Sequence, residues 1–289
     1  MKTSTITIAL TSIIVILAAI ATSIGLFLKD EGSSFEFITI RGQKVRILGQ
    51  GLYKYDTTFF GAGFKGQDSV VLFLGIPLLV ISLILSIRGN VIGQLLLTGM
   101  YGYFLYIYAS MALGASYNFF FLLYIAIFSA SLFAFIRSFT AIDLNLIATR
   151  IPGHLPVRGI AIFMFAAGIV TLFVWGSPLI TALIQGQAPE KMDSYTTMVT
   201  FALDLAIITP ASFLCAVLVL KGEPLGFAIS IPLLTIIILL SPQIILSTVF
   251  QRAAGVPLST GEIIGPISGF IVLGSFAAWL LCALFKGIK

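Results

Sequence analysis

Residues Met198 to Leu220 read MVTFALDLAIITPASFLCAVLVL, an apolar run with one acidic residue, Asp204. A bilayer core about 30 Å thick needs roughly 20 apolar residues in one helix, so this run is long enough to cross it. An ionised carboxylate is costly in hydrocarbon, and such residues usually face a bundle interior and mark a site or pathway. The run therefore predicts a transmembrane helix, and Asp204 is its candidate functional residue.

The whole chain has the composition of a membrane protein. Of its 289 residues, 59% are hydrophobic and 9% are charged, and the mean hydropathy is +1.12. Soluble globular domains of this length do not normally have such values. The net charge of +5 comes from basic residues that are spread among the predicted connections. Because they do not form one basic face, the sequence predicts no nucleic-acid partner.

Seven further segments are long and apolar enough to span a bilayer, which predicts an all-α polytopic bundle of about eight spans. Backbone polar groups in lipid must be hydrogen-bonded within their own segment, so each span is predicted to be a helix. Residues 1–289 then form a single integral membrane domain. The predicted spans are Ile6 to Leu28, Ser69 to Ile87, Val91 to Leu113, Tyr117 to Phe139, Gly159 to Ile180, Thr197 to Leu220, Leu225 to Phe250, and Ile263 to Phe285.

The distribution of basic residues predicts the orientation of the bundle. One set of short connections, together with the chain termini, carries most of them, whereas the opposite short connections carry Lys191 and Arg252. Positive residues are retained on the cytoplasmic side, so we expect both termini in the cytoplasm and the protein in the cell (inner) membrane. The residues on the predicted cytoplasmic side are Lys2, Arg88, Arg137, Arg150, Arg158, Lys221, Lys286 and Lys289.

The connection at residues 29–68, between spans 1 and 2, is the one sizeable soluble element that the sequence predicts. Residues 35–40 and 44–48 resemble two short strands around a turn that contains Gly42, which predicts a small extracytoplasmic β-hairpin. An aromatic segment with Tyr53, Tyr55 and Asp56 follows, and it is suited to the membrane surface. The loop is either a structured cap over the bundle or a binding element.

Asp204 lies on a polar face of its helix. Helical spacing places Thr200 on this face, and Pro210 removes a backbone hydrogen bond and predicts a helix break. The seventh span has a second predicted break at Ser241-Pro242-Gln243. Two tyrosines of the third span lie too deep for an interfacial belt and are candidate partners of Asp204. The candidate ligand- or ion-binding residues are Asp204, Thr200, Tyr101, Tyr103 and Gln243, with helix breaks at Pro210 and Pro242.

The role of Asp204 stays open between two interpretations. In the first, it binds a proton, a cation or the positive group of a ligand. In the second, it is a buried acid whose hydrogen bonds fix the packing of the helices. The sequence predicts no Lys or Arg and no second carboxylate within the membrane, so a neutral or hydrogen-bonded carboxyl group is expected.

The sequence favours a role without enzymatic activity, cofactor or metal. It has no paired-His zinc helix and no Gly-x-Ser-x-Gly motif. Its one histidine, His154, lies between two prolines in a predicted cytoplasmic connection, far from the intramembrane site. Both cysteines lie inside apolar runs, so the sequence predicts neither a disulfide framework nor a Cys-rich metal site.

Several motifs together resemble a family of eight-span prokaryotic integral membrane proteins with no established activity. The resemblance covers nearly the whole chain and supports the eight-span arrangement, and it implies no substrate or partner. The motifs are Gly51-Leu52-Tyr53 to Asp56, Tyr101-Gly102-Tyr103, Tyr195-Thr196-Thr197, and Ala202-Leu203-Asp204-Leu205 with Pro210 and Gly226.

The leading functional hypothesis is therefore small-molecule or ion handling, as in a transporter, through an intramembrane cavity around Asp204. The alternative is a membrane sensor, assembly or accessory protein that binds a partner through the 29–68 loop. The partners expected are the lipid bilayer, a small-molecule or ion ligand, and a membrane protein.

Overall fold

The computed structural model describes residues 4–150 and 157–288. Lys2, His154 and Lys289 lie outside the described residues. Within them, eight helices are long and apolar enough to cross a membrane, which confirms the predicted bundle. The helices are α1 (Thr5–Phe27), α2 (Thr58–Ile87), α3 (Val91–Gly114), α4 (Phe121–Thr140), a short α5 (Leu144–Arg150), α6 (Val157–Gln185), α7 (Val199–Leu220), α8 (Pro224–Ala253) and α9 (Thr260–Ile288).

The predicted hairpin is present between α1 and α2. Strand β1 (Phe35–Ile38) pairs antiparallel with β2 (Lys44–Ile47). The turn needs Gly42, whose φ of 79° is a left-handed conformation that favours glycine. The connections at residues 115–120 and 186–198 touch the residues around this hairpin. We call this side of the bundle the hairpin end.

Helix α2 begins at Thr58, well before the predicted start at Ser69, so the connection after α1 is shorter than the predicted 29–68 loop. The hydroxyl of Thr57 caps the helix by accepting a hydrogen bond from the backbone N–H of Phe60. Hydropathy did not predict this first part of α2 because it is rich in glycine and polar residues. One consequence is that Asp68 lies inside a helix of the bundle.

The early start of α2 depends on close contact with α8. Gly66 faces the α8 backbone so closely that an added Cβ would lie 2.2 Å from the nitrogen of Ser247. The Ser247 hydroxyl donates to the carbonyl oxygen of Gly63 at 2.8 Å, and the Gln251 amide donates to that of Phe59 at 3.0 Å. Small residues and interhelical hydrogen bonds are the usual means of helix association in membranes.

Helices α3 and α8 form the centre of the bundle. An added Cβ at Gly99 would lie 2.3 Å from Oγ1 of Thr235, and one at Gly102 would lie 3.0 Å from Cβ of Pro232. Glycine is required at these positions because the two helices approach so closely. Helices α1, α2 and α4 pack on one side of this pair, and α6, α7 and α9 pack on the other.

Two helices contain a π-helical turn just before a proline. In α7 the turn is Asp204–Ile208, ahead of Pro210, and in α2 it is Val71–Gly75, ahead of Pro77. The predicted break at Pro210 therefore takes the form of a π turn. A π turn accommodates the missing proline N–H by shifting the backbone hydrogen bonds, and such turns are frequent at functional sites.

Helix α8 differs from expectation because it continues through Pro242 without interruption. The neighbouring Ser241 hydroxyl lies 3.0 Å from the carbonyl oxygen of Ile237 and 2.7 Å from that of Phe270 in α9. Serine side chains and adjacent helices commonly compensate for a proline in a membrane helix. Pro242 is thus accommodated within α8 and does not break it.

The contact between α2 and α8 predicts a specific effect of Gly66→Ala. The new methyl group would overlap the α8 backbone at Ser247. Overpacking of this kind costs about 1–3 kcal/mol, so the midpoint of thermal unfolding in nanodiscs should fall.

The matched control is Gly269→Ala in α9, where no heavy atom of the described residues lies within 4 Å of the added Cβ. Its midpoint should be unchanged or slightly higher, because alanine favours helix over glycine. An equal decrease in both variants would contradict the close α2–α8 contact.

Candidate functional site

A cleft of about 180 Å³ at the hairpin end reaches Asp204, and we call it the Asp204 cleft. It lies among α2, α3, α6, α7, α8 and α9, below the connection at residues 186–198. Seven aromatic side chains line it, those of Phe60, Phe64, Tyr106, Trp175, Tyr195, Phe201 and Phe270. Its polar lining includes Asp204, Gln67, Ser110, Thr200 and Gln243.

Asp204 is the first residue of the α7 π turn, about 8 Å along the helix from its start at Val199. Its side chain is 8% exposed. The Tyr106 hydroxyl donates to Oδ1 of Asp204 at 2.9 Å, and the Trp175 side chain lines the same cleft. Among the described residues, no Lys or Arg lies within 4.0 Å of this carboxyl group.

Three residues selected from the sequence meet in the cleft. Thr200 and Gln243 line it together with Asp204. Gln243 is oriented by Gln67 of α2, because its Nε2 donates to Oε1 of Gln67 at 3.2 Å. The polar side of the cleft therefore combines groups from α2, α7 and α8.

Tyr101 and Tyr103 lie outside the lining of the cleft, which differs from the expectation that they line it with Asp204. The hydroxyl of Tyr101 is hydrogen-bonded to that of Thr11 in α1. The Tyr103 hydroxyl lies 3.5 Å from Oε1 of Gln243, which is its contact with the polar lining of the cleft. Helical spacing places Tyr101 on the face of α3 opposite Tyr106 and Ser110. Tyr103 shares a face with Ser110 but lies two turns further along α3, away from the hairpin end.

A second buried carboxyl group, that of Asp68, corrects the prediction that Asp204 is the sole acid inside the bundle. Asp68 is 4% exposed in the third turn of α2. The hydroxyl of Tyr53 donates to its Oδ2 at 2.6 Å. Tyr53, a candidate from the external loop, is therefore a buried partner of an intramembrane acid. The sequence signal was weak because Asp68 immediately precedes the apolar run.

Asp56, another external-loop candidate, joins three connections at the hairpin end. Its Oδ1 accepts hydrogen bonds from the Tyr195 hydroxyl at 2.7 Å and from the Ser116 backbone N–H at 2.8 Å. Burial raises the pKa of the Asp56 carboxyl group to about 6, although these two hydrogen bonds oppose the shift. Tyr55, by contrast, is 57% exposed.

The hairpin also holds the connection that covers the cleft. Arg41 Nη2 donates to the carbonyl oxygens of Asp193 and Tyr195, both at 2.8 Å. The Thr57 hydroxyl donates to Oδ2 of Asp193 at 3.0 Å. These contacts place the Tyr195 ring against Phe60, with ring centroids 4.9 Å apart. The hairpin thereby positions one wall of the cleft entrance.

Comparison with known proteins finds no matching family model, no matching curated protein and no matching solved structure. The resemblance to an uncharacterised eight-span family therefore stays a prediction. Any functional conclusion depends on the geometry of the site.

The raised pKa of Asp56 predicts a pH dependence of stability. The pKa rises from 3.8 to about 6 on folding, so the folded state binds this proton more tightly than the unfolded state. This proton therefore stabilises the folded state by about 3 kcal/mol in the free energy of unfolding. The stabilisation is complete below about pH 4 and is lost as the pH rises through about 6. The midpoint of thermal unfolding should fall across this window, and Asp56→Asn should reduce the fall.

The control for this pH profile is Glu36→Gln, which removes an exposed carboxyl group of the hairpin. Its profile should match that of the wild-type protein. A wild-type profile that is flat between pH 4 and 6, or one that Asp56→Asn leaves unchanged, would contradict the role of Asp56.

Proposed function

We propose that the Asp204 cleft binds a small organic cation, such as a protonated amine or a quaternary ammonium ion, and that the protein carries it across the membrane. In this proposal the protein lies in the inner membrane, the hairpin end is extracytoplasmic and both termini are cytoplasmic. The observation that carries the proposal is the Asp204 carboxyl group, buried beside an aromatic cleft with no basic side chain of the described residues within 4.0 Å.

Charge is the first support. A buried carboxylate without a counter-charge is expensive in a low-dielectric interior, and neutral hydrogen-bond donors compensate it only in part. A cationic ligand would provide the missing charge. Lys191 lines the rim of the cleft, but its amino group lies 3.9 Å from a carboxylate oxygen of Glu262, and both side chains are largely exposed.

The aromatic walls are the second support. The rings of Trp175 and Phe201 lie with their centroids 4.2 Å apart beside the carboxyl group, and Tyr106 and Tyr195 contribute further rings. An organic cation over an aromatic face gains about 0.5–2 kcal/mol from cation–π attraction. An inorganic cation would instead need several oxygen ligands. The lining therefore favours an organic cation over a metal ion.

Size and polar groups restrict the ligand further. The cleft, at about 180 Å³, is smaller than the roughly 300–1,000 Å³ of a site for a drug-sized molecule. The hydroxyl oxygen of Ser110 is buried without a hydrogen-bond partner among the described residues. Together with the Thr200 hydroxyl, it can bind a polar group on the ligand. A small amine that also carries a hydrogen-bonding group fits this arrangement.

The π turn of α7 is the third support, because it would allow Asp204 to change position. Asp204 is the first residue of this turn, and Pro210 follows it. Single π turns inside α-helices are frequent at functional sites. A change between π and α hydrogen bonding in this segment would rotate Asp204 relative to α3, where its partner Tyr106 lies. Such a rotation would couple ligand binding to a change of access.

The test is ligand-dependent thermal stabilisation of the purified protein, with primary ammonium and tetraalkylammonium ions of increasing size. Small organic cations should raise the unfolding midpoint, whereas uncharged isosteres of each should not. Asp204→Asn should weaken binding about 100-fold, because removing one charge of a buried pair costs about 2–5 kcal/mol. The same variant should lose uptake of the cation by proteoliposomes.

The matched control is Asp143→Asn, which changes an exposed carboxyl group in the connection between α4 and α5. It should bind and transport like the wild-type protein. Equal stabilisation by a cation and its uncharged isostere would overturn the proposal. Loss of folded yield in Asp204→Asn would instead assign Asp204 to helix packing.

The alternative function, a sensor, assembly or accessory protein, has one observation in its favour. Strand β1 pairs with β2 and, within the described residues, with no other strand. Phe35, Phe37 and Ile38 of β1 are 51%, 45% and 62% exposed. An open edge strand can accept a strand from another protein. In this alternative the partner presents an extended apolar segment to β1.

A photo-crosslinking amino acid at position 37 tests the alternative in native membranes. One discrete protein adduct at Phe37, which is 45% exposed, and none at the more exposed control position Tyr117, at 75%, would support partner binding through the hairpin. Adducts with lipid alone, or the same adducts at both positions, would reject it.

A further inference from the structure

The strongest unassigned group outside the Asp204 cleft is the Asp68 carboxyl group. It lies between α2 and α1, about 15 Å along α2 from the start of that helix at Thr58. It does not line the Asp204 cleft. The hydrogen bond from the Tyr53 hydroxyl needs an oxygen acceptor at this position, and the oxygen of an amide could also accept it.

Asp68 is closed off by the Tyr53 hydroxyl and by the backbone at Gly25. Besides the 2.6 Å hydrogen bond from Tyr53, the hydroxyl groups of Tyr103, Tyr108 and Tyr124 lie within electrostatic range of the carboxyl group. On the α1 side, an added Cβ at Gly25 would lie 2.0 Å from Oδ2 of Asp68 and 2.8 Å from the Tyr53 hydroxyl. The α1 backbone therefore closes the site.

This enclosure determines which ligand can occupy the site. A metal ion would need several oxygen ligands at about 2.0–2.6 Å, and Gly25 and the Tyr53 hydroxyl already fill the space around Oδ2. Within the described residues, no group of three His, Cys, Asp or Glu side chains could hold a metal ion. A proton needs no additional volume.

The basic groups around Asp68 are too few to stabilise an ionised carboxylate there. Among the described residues, no Lys or Arg lies within 4.0 Å of Asp68. The titratable groups that face it are Tyr53 from the hairpin connection, Lys65 from its own helix, Tyr103 and Tyr108 from α3, and Tyr124 from α4. Only Lys65, which is half-buried, is basic, and it also interacts with Asp30.

We propose that Asp68 is a proton-binding site, in which a protonated carboxyl group holds α1 against α2. Release breaks the O–H bond of the acid, and the proton passes to water that enters from the hairpin end beside Lys65. The carboxylate that remains must be hydrated, because an ionised group is not stable in the dry contact with Gly25. Hydration requires α1 to move away from α2. The state of this proton therefore controls the packing of the first helix.

Infrared spectroscopy of the protein in nanodiscs tests the proposal through the carbonyl stretch of protonated carboxylic acids. At neutral pH the wild-type protein should show such a band that Asp68→Asn removes. Asp204→Asn and Asp56→Asn should retain this component. Tyr53→Phe should keep it but shift it to higher frequency, because the hydrogen bond from Tyr53 is lost.

Two results would overturn the proposal. One is that the spectra of the wild-type protein and Asp68→Asn at neutral pH show the same protonated carboxyl bands. Asp68 would then be ionised in the wild-type protein. The other is a band that Tyr53→Phe leaves unchanged, and this variant decides the outcome if Asp68→Asn does not fold. Neither readout depends on ligand binding at Asp204, so failure here is distinct from failure of the proposed function.

Discussion

Hydrogen bonds between tyrosine hydroxyls and aspartate carboxyl groups are the interaction on which the hairpin end depends. Tyr106 bonds to Asp204 at 2.9 Å, Tyr53 to Asp68 at 2.6 Å and Tyr195 to Asp56 at 2.7 Å. The bonds of Tyr106 and Tyr195 join residues 98 and 139 positions apart in the chain, whereas that of Tyr53 joins the connection before α2 to α2 itself. Each bond compensates part of the cost of burying a carboxyl group. The three bonds link the connections at the hairpin end to one another and to α2, and link α3 to α7 at the Asp204 cleft.

The sequence predicted the bundle well because the bilayer imposes a length and a hydrogen-bonding rule on every span. The main error concerned the start of α2, because only the residues after Ser69 are apolar enough to be predicted as a span from hydropathy. The first part of α2 is stabilised by close contacts with α8, such as that of Gly66 with Ser247. Contacts between distant segments cannot be predicted from the composition of either segment alone. The sequence therefore predicts Asp68 in a loop.

The candidate site was predicted only in part, because contacts between helices decide which residues meet there. Asp204 and Thr200 share one face of one helix, so spacing alone placed them together. Which tyrosine of α3 meets Asp204 depends on how α3 is rotated against α7, and helical spacing does not determine this rotation. Tyr106 rather than Tyr101 is the partner because the glycines of α3 place it against α8 in one orientation. Trp175, on α6, had no sequence signal at all.

We propose that the cation binds between the Asp204 carboxyl group and the aromatic rings beside it. The chain has two tryptophans, Trp175 and Trp279, so Trp279→Phe leaves Trp175 as the single fluorescent reporter at the site. Titration with a small organic cation should change Trp175 fluorescence in a saturable way, and the change should disappear when Asp204→Asn is added. A response of the same size and midpoint with and without Asp204 would contradict cation binding at this carboxyl group.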